Sequence, residues 1–215
     1  MGSKPAPIAV VGLGGIFPGA ESLDAFWRMI VEGRDAAGEP PAGRWVLPAD
    51  AVYDPAPAAK DKVRSRRGCY LGDWGFNPEG FSVDAGLLAQ LDPMFHLALE
   101  AGRQASRAAN LTSVDPRRIG VVFGNIALPT EGNARLASAT YGRLLAEAVG
   151  VDSSARAPHP LNRYPAGLPA GLTARALGFG GGGFTLDAAC ASSLYALELA
   201  ARELRTGRAD AMLAG

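Results

Sequence analysis

The sequence predicts an α/β fold in which helices cover a largely buried sheet. Three short apolar runs, at 8–14, 119–124 and 211–215, each end in glycine. Continuous apolar runs of this length are typical of strands that are covered on both faces. Segments with apolar residues at helical spacing alternate with these runs, and this alternation predicts a layered arrangement.

The first helix is predicted to begin after Ser22, a suitable N-cap, and to end at Gly33. The next segment, 36–75, is rich in proline, glycine and charge. We expect it to be a surface insertion with little regular structure. Its basic cluster at 64–67 is interpreted as part of a solvated loop rather than as a phosphate site.

A second helical region extends over residues 84–109, whose apolar side chains form one stripe. Pro93 interrupts the stripe, so two helices or a kink are expected. The other elements predicted before the last helix are a helix over 134–149, a loop over 158–169, a helix over 172–177 that Gly178 ends, and a strand that begins near Thr185.

The last helix is predicted over residues 191–206, with Gly207 as its end. Glu198 and Arg202 are four residues apart and are expected to form an ion pair on its polar face. The apolar face of this helix is predicted to contain Leu194, Leu197, Ala201 and Leu204.

Composition excludes several classes of function. The chain has 215 residues, of which 48% are hydrophobic, and its 21 basic and 21 acidic side chains balance. This balance provides no basic surface for a nucleic acid or an anionic membrane. No apolar run approaches the roughly 18 residues that span a bilayer, so we expect a cytoplasmic protein. Two cysteines do not make a disulfide framework. Neither cysteine lies in a CxxC or Cys/His cluster, so a structural zinc site, which needs four closely organised ligands, is not expected.

The most informative local pattern places Cys190 between a predicted strand and a predicted helix. Small residues surround it (Ala188, Ala189, Ala191 and Ser192), and they permit a tight turn. At a helix N-terminus, free N–H groups and the macrodipole favour a thiolate and can stabilise an oxyanion. On the turn alone, a small buried cysteine is an equally good interpretation, and an α/β-hydrolase elbow is a further alternative.

The surrounding residues favour the nucleophile. The stretch Asp187 to Leu194, Asp-Ala-Ala-Cys-Ala-Ser-Ser-Leu, resembles the active-site signature of β-ketoacyl synthases. Three further stretches resemble that family in its order and spacing: Pro7 to Gly19, Phe76 to Phe81 with Leu91 to Glu100, and Leu172 to Gly183. The resemblance extends almost from end to end, and it identifies residues 1–215 as the N-terminal half of a ketosynthase domain, truncated within a strand.

This resemblance implies a thiolase-like fold, of which the chain is the first, nucleophile-bearing half of an αβαβα layered domain. It implies that Cys190 takes an acyl chain from an acyl carrier protein as a thioester, for decarboxylative Claisen condensation with a malonyl-type extender. The Cys190 N–H is implied as an oxyanion donor, with Ala189, Ala191 and Ser192 supporting the turn. The resemblance also implies a homodimer. It implies no metal and no organic cofactor other than the carrier's phosphopantetheine arm.

Two departures from the family pattern concern function. Ala188 and Ala191 stand where threonine and serine are common, and this version resembles ketosynthases of multidomain polyketide or polyunsaturated-fatty-acid synthases. The family's two catalytic histidines belong to the second half of the domain. We expect neither His96 nor His159 to replace them, so the chain alone should be inactive in condensation. Cys69 is expected to be structural.

Two alternatives to an enzyme half are a non-catalytic interaction module that needs a complementary chain and a ketosynthase-like subunit that binds acyl chains. A dinucleotide site at Gly12 and Gly14 is excluded by spacing, because the third glycine of the motif would fall on Phe17.

Overall fold

The computed structural model describes residues 6–45, 47–56, 60–72, 74–151 and 157–215. The chain forms two compact units: residues 15–75, called here the insertion unit, and the rest of the chain, called here the sheet unit. Residues 46, 57–59 and 73 of the predicted surface insertion lie outside the described residues.

The insertion unit has little regular structure, in agreement with its proline and glycine content. Its first helix, α1, spans Leu23–Val31, and the Ser22 hydroxyl accepts a hydrogen bond from the Ala25 N–H at 3.2 Å, as the N-cap prediction requires. The remaining elements are strand β1 (Ala37–Gly38), the single turn α2 (Ala49–Val52) and strand β2 (Gly68–Cys69), which pairs antiparallel with β1.

Among its described residues, the sheet unit contains three parallel strands, in the order β4-β3-β5. The central strand, β3, spans Ile119–Gly124, and it pairs with β4 (Gly183–Leu186) and with β5 (Ala211–Ala214). Strands β3 and β5 fall where the apolar runs at 119–124 and 211–215 predict them, and β4 coincides with the strand predicted near Thr185. Because the strands are parallel, their carboxyl ends meet at one edge of the sheet.

The helices of the sheet unit also follow the sequence pattern. They are α3 (Ala85–Leu88), α4 (Pro93–Ala109), α5 (Glu131–Ala137), α6 (Arg143–Val149), α7 (Pro169–Leu177) and α8 (Ser192–Arg205). The predicted interruption at Pro93 is confirmed, since Asp92 caps α4 and the proline occupies its first turn. Gly178 follows α7 with a left-handed φ of +74°.

Helices cover both faces of the sheet. Val121 of β3 packs against Ala170 and Ala174 of α7 on one face. A Cβ added at Gly124 would meet Ser192 of α8 instead, and residues 121 and 124 point to opposite faces of a strand. A second apolar cluster, between α3, α4 and α7, contains the buried residues Leu88, Leu91, Phe95, Leu99, Leu172 and Ala176.

The prediction of a buried strand over residues 8–14 is wrong. This segment belongs to no strand, and Val10 is 75% exposed. Its glycines lie against α4 so closely that a Cβ on Gly14 would be 2.3 Å from the Ala101 carbonyl oxygen. A Cβ on Gly12 would be equally close to the Ala105 carbonyl oxygen. The glycines therefore provide close approach to a helix, and the valines face outward.

The apolar face predicted for α8 is also partly wrong. Leu194 is 69% exposed and Leu197 is exposed, whereas Ser192, Ala196 and Ala200 are buried. The small side chains allow the helix backbone to approach the sheet, and this close packing turns the leucines outward. The predicted pair of Arg202 with Glu198 is confirmed at 3.7 Å. Within the described ranges, no helix is long and apolar enough to cross a membrane.

Candidate active site

Cys190 lies where the chain passes from β4 into α8. Residues Ala189–Ala191 form a single 3-10 turn, and α8 begins at Ser192. The Cys190 side chain is exposed. The turn follows the carboxyl end of β4, the edge at which open parallel sheets usually bind their ligands. The structure therefore brings the predicted nucleophile and its three supporting residues together at an accessible edge.

The backbone immediately before the cysteine is unusual. Ala189 has a φ of +49°, in the left-handed region that residues with a Cβ seldom adopt. Its N–H donates to Asp187 Oδ1 at 2.9 Å, and its carbonyl oxygen accepts from the Ser192 hydroxyl at 2.8 Å. The Ser192 hydroxyl also accepts from the Ala188 N–H at 2.9 Å. Side chains on both sides of Cys190 thus bind the turn.

Asp187 links this turn to a second segment. Its Oδ2 accepts from the Ala127 N–H at 3.0 Å, just beyond the end of β3. The N–H groups of Ala127 and Ala189 hold the pKa of the Asp187 carboxyl below its ordinary value, because they stabilise the charged form. The carboxylate is consequently ionised at neutral pH and bridges positions that are 60 residues apart in the sequence.

The start of α8 is packed tightly against β3. Ser192 is buried, and a Cβ added at Gly124 would lie 2.5 Å from the Ser192 Cβ. Glycine at this position therefore sets the distance between the sheet and the helix that follows Cys190. Ala191, the other predicted support, is half-buried within the turn.

Sequence reasoning did not identify the roles of Asp187, Ala127 and Gly124. Asp187 belongs to the signature motif but received no role of its own. The bond from Ala127 depends on the parallel pairing of β3 with β4, for which the sequence of either segment provides no signal.

The two histidines make local contacts. His96 stacks on Phe76 with ring centroids 4.2 Å apart, and its Nε2 lies 2.7 Å from the Leu88 carbonyl oxygen. The His159 Nδ1 accepts from the Leu161 N–H at 3.3 Å, at the start of a short 3-10 turn. The other cysteine, Cys69, is exposed on β2 in the insertion unit.

A cysteine on a strand-turn-helix junction of a parallel α/β sheet is an arrangement suited to acyl transfer. Comparison with known proteins identifies the class. A family model described as "Beta-ketoacyl synthase, N-terminal domain" matches residues 6–215. The chain therefore belongs to the β-ketoacyl synthase family and corresponds to its N-terminal domain.

Curated relatives of the chain are polyketide synthases. It is 32% identical over 214 residues to a mycocerosic acid synthase-like polyketide synthase of Mycolicibacterium smegmatis. This match covers 98% of the chain and 9% of the relative. It is 35% identical over 215 residues to non-reducing polyketide synthase 1 of Elsinoe fawcettii, covering 97% of this chain and 9% of the relative. The chain thus spans about a tenth of the length of these relatives.

Solved structures of ketosynthases share the fold. The PfaC keto synthase-chain length factor superposes with a TM-score of 0.85 at 32% identity, covering 96% of this chain and 23% of that one. The oxazolomycin ketosynthase domain OzmH KS7 of Streptomyces albus has a TM-score of 0.66 at 29% identity, covering 93% of this chain and 32% of that one. These similarities confirm the predicted thiolase-like α/β class.

Proposed function

We propose that this chain provides the acyl-loading part of a ketosynthase domain in a polyketide synthase, with Cys190 as the nucleophile. The observation that carries the proposal is the exposed cysteine on the β4–α8 turn of a chain that belongs to the ketosynthase family. The substrate is an acyl chain attached as a thioester to the phosphopantetheine arm of an acyl carrier protein.

In the proposed step, the deprotonated Cys190 sulfur attacks the thioester carbonyl, and the Cys190 proton passes to solvent. The tetrahedral oxyanion collapses, the bond to the carrier sulfur breaks, and the carrier thiolate takes up a proton. The acyl group is then bonded to Cys190. The N–H groups of Ala188, Ala189 and Ala191 are engaged in the turn, so we assign the Cys190 N–H as the donor to the oxyanion.

Carbon–carbon bond formation requires a second step, in which a malonyl-type extender loses carbon dioxide and attacks the Cys190 thioester. The resemblance to ketosynthases implies two histidines for that step. His96 and His159 are engaged in stacking and capping contacts, and we assign neither of them to decarboxylation. We therefore expect the 215-residue chain to become acylated without forming a condensation product.

The proposal includes no metal and no organic cofactor other than the carrier's arm. It includes a homodimer of the parent domain and a cytoplasmic location, both of which are typical of the family. The carrier protein is the proposed partner that delivers both substrates.

A second candidate function is that of an acyl-binding or interaction subunit that does not elongate chains and acts with a complementary chain. The exposed apolar face of α8 favours it, because Leu194, Tyr195 and Leu197 are all more than half exposed. Exposed apolar groups this close together are typical of surfaces that another protein covers. This alternative predicts the same acyl-enzyme but no product even when the second half of the domain is supplied.

The experiment uses S-hexanoyl-N-acetylcysteamine as the acyl donor and intact-protein mass spectrometry as the measurement. The chain should gain one hexanoyl group, a Cys69→Ser variant should gain the same group, and a Cys190→Ala variant should gain none. Equal acylation of the Cys190→Ala variant would contradict the proposed nucleophile. Adding malonyl-N-acetylcysteamine should yield no ketoacyl product from this chain, and a measurable product would contradict the assignment of the second step to residues outside it.

A further inference from the structure

Ala189 adopts its left-handed conformation only one residue before the proposed nucleophile. Residues with a Cβ avoid this region because the Cβ approaches the following carbonyl oxygen. Such a conformation persists when surrounding contacts fix it, and conformations of this kind are concentrated at functional sites. At Ala189 those contacts are visible, and two side chains supply them.

The two contacts hold Ala189 at both of its peptide groups. Asp187 Oδ1 binds the Ala189 N–H at 2.9 Å, and the Ser192 hydroxyl binds the Ala189 carbonyl oxygen at 2.8 Å. Rotation of Ala189 towards negative φ would break at least one of these hydrogen bonds, because it turns the two peptide groups relative to one another. The direction in which the chain enters Cys190 therefore depends on these two side chains.

Each of these side chains is itself fixed to β3 or its continuation. The second oxygen of Asp187 is bound by the Ala127 N–H, beyond the end of β3. Ser192 is buried, with its Cβ close to Gly124 at the last position of the strand. Ala189 is thereby connected to the central strand of the sheet through two separate routes.

We propose that Asp187 and Ser192 are positioning residues, which hold Ala189 in the left-handed conformation and thereby orient the Cys190 sulfur towards the acyl donor. This inference rests on the proposed function of Cys190 as the nucleophile. Asp187 acts through the backbone, because both of its carboxylate oxygens accept backbone N–H groups and neither is directed to the sulfur by these bonds.

The test compares acylation rate constants in a Cys69→Ser background, in which Cys190 is the one thiol, with S-hexanoyl-N-acetylcysteamine as the donor. Asp187→Ala should lower the rate constant about tenfold or more, since small misplacements of a reacting group have effects of this size. Alkylation by iodoacetamide should fall much less, because a small, flexible reagent does not require one orientation of the sulfur. Asp115→Ala, which removes another aspartate that accepts a backbone N–H, should leave both rates unchanged.

A rescue variant separates positioning from a general structural role. Glycine adopts positive φ without the Cβ penalty, so adding Ala189→Gly to Asp187→Ala should restore the acylation rate to within about threefold of the parent. An unrescued Asp187→Ala variant, or one that is acylated at the parental rate, would overturn the proposal. If Asp187→Ala loses its far-ultraviolet circular dichroism signal, Asp187→Asn replaces it, with and without Ala189→Gly. Failure of Ala189→Gly to rescue Asp187→Asn, or acylation of Asp187→Asn at the parental rate, would then overturn the proposal.

Failure of the proposed function has a different signature from failure of the positioning role. If Cys190 is not the nucleophile, the Cys69→Ser protein, which is the parent of these variants, remains unacylated. If the parent is acylated and the variants match it, Cys190 is a nucleophile and only the positioning role is lost.

Discussion

Residues 8–14 and 119–124 have nearly the same sequence pattern, yet they occupy different kinds of structure. Each is a short run of isoleucine and valine with interspersed glycine. Residues 119–124 form β3, the central strand, in which Val121 and Val122 are fully buried. Residues 8–14 belong to no strand, Val10 and Val11 are exposed, and the glycines of the segment lie against α4.

The difference shows what an apolar run specifies. Alternation and composition predict an extended backbone, but they do not determine which surface the backbone contacts. In β3 the side chains carry the packing and Gly124 makes room for α8. In residues 8–14 the glycines make the contact with α4, and the valine side chains are exposed. Valine substitutions should therefore be costly in β3 and nearly without effect in residues 8–14, whereas glycine substitutions should destabilise both segments.

The largest effect is expected for Gly124→Ala. The new Cβ would lie 2.6 Å from the Ser192 backbone carbon, and β3 cannot move because strands pair with both of its edges. We expect a loss of about 3 kcal/mol in the free energy of unfolding, at the upper end of the cost of overpacking. Urea unfolding followed by far-ultraviolet circular dichroism measures this loss. A loss below about 1 kcal/mol, the lower end of the cost of overpacking, would show that α8 shifts easily to accept the new Cβ.

The next effect concerns the valines. Val122→Ala should reduce the free energy of unfolding by about 2 kcal/mol, because it removes two buried carbon atoms and leaves a cavity. Val11→Ala, at an exposed position of the other segment, should change it by less than about 0.5 kcal/mol. Equal losses for the two variants would mean that residues 8–14 are covered in solution.

A smaller effect is expected for Gly14→Ala. Its Cβ would overlap the Ala101 carbonyl oxygen, but the segment has exposed side chains and can move away from α4. The expected loss is about 1 kcal/mol, at the lower end of the range for overpacking. Gly171→Ala is the matched control, because a Cβ there meets no atom within 4 Å. Within α7 it should instead raise the stability by about 0.5–1 kcal/mol, through the better helix propensity of alanine.

The smallest effect concerns the bond between Asp187 and the continuation of β3. Because the pKa of Asp187 is lowered in the folded chain, its carboxylate stabilises the fold above the ordinary aspartate pKa, and this contribution is lost as the pH falls through the lowered value. The stability difference between the parent and Asp187→Asn should be largest at neutral pH and should shrink below about pH 4. Urea midpoints of the two proteins, measured at neutral pH and below about pH 4, test this prediction. A stability difference that is independent of pH would contradict the hydrogen bond assigned between Asp187 and Ala127.

Much of the sheet unit follows from its sequence because local signals agree there. Pro93 and Asp92 define the start of α4, Gly178 ends α7, and the run at 119–124 coincides with β3. Cys190 was identified through its small neighbours and the signature motif. The outward leucines of α8 were not predicted, because buried alanines satisfy the same helical spacing when a helix packs closely on a sheet.

The parts of the site that escaped prediction depend on contacts between distant residues. The bond from Ala127 to Asp187 exists because β3 and β4 pair in parallel, and no local pattern encodes that pairing. The left-handed Ala189 is equally hidden, because an alanine carries none of the preference for positive φ that a glycine would signal.

The division into two units has a consequence for optical spectroscopy. All three tryptophans, Trp27, Trp45 and Trp74, belong to the insertion unit, whereas the unit that carries Cys190 contains tyrosine as its largest fluorophore. Tryptophan emission therefore comes from the 15–75 segment, and the unit that carries Cys190 has no tryptophan of its own. A fluorescent label on Cys190 would give this unit its own emission, since that side chain is exposed.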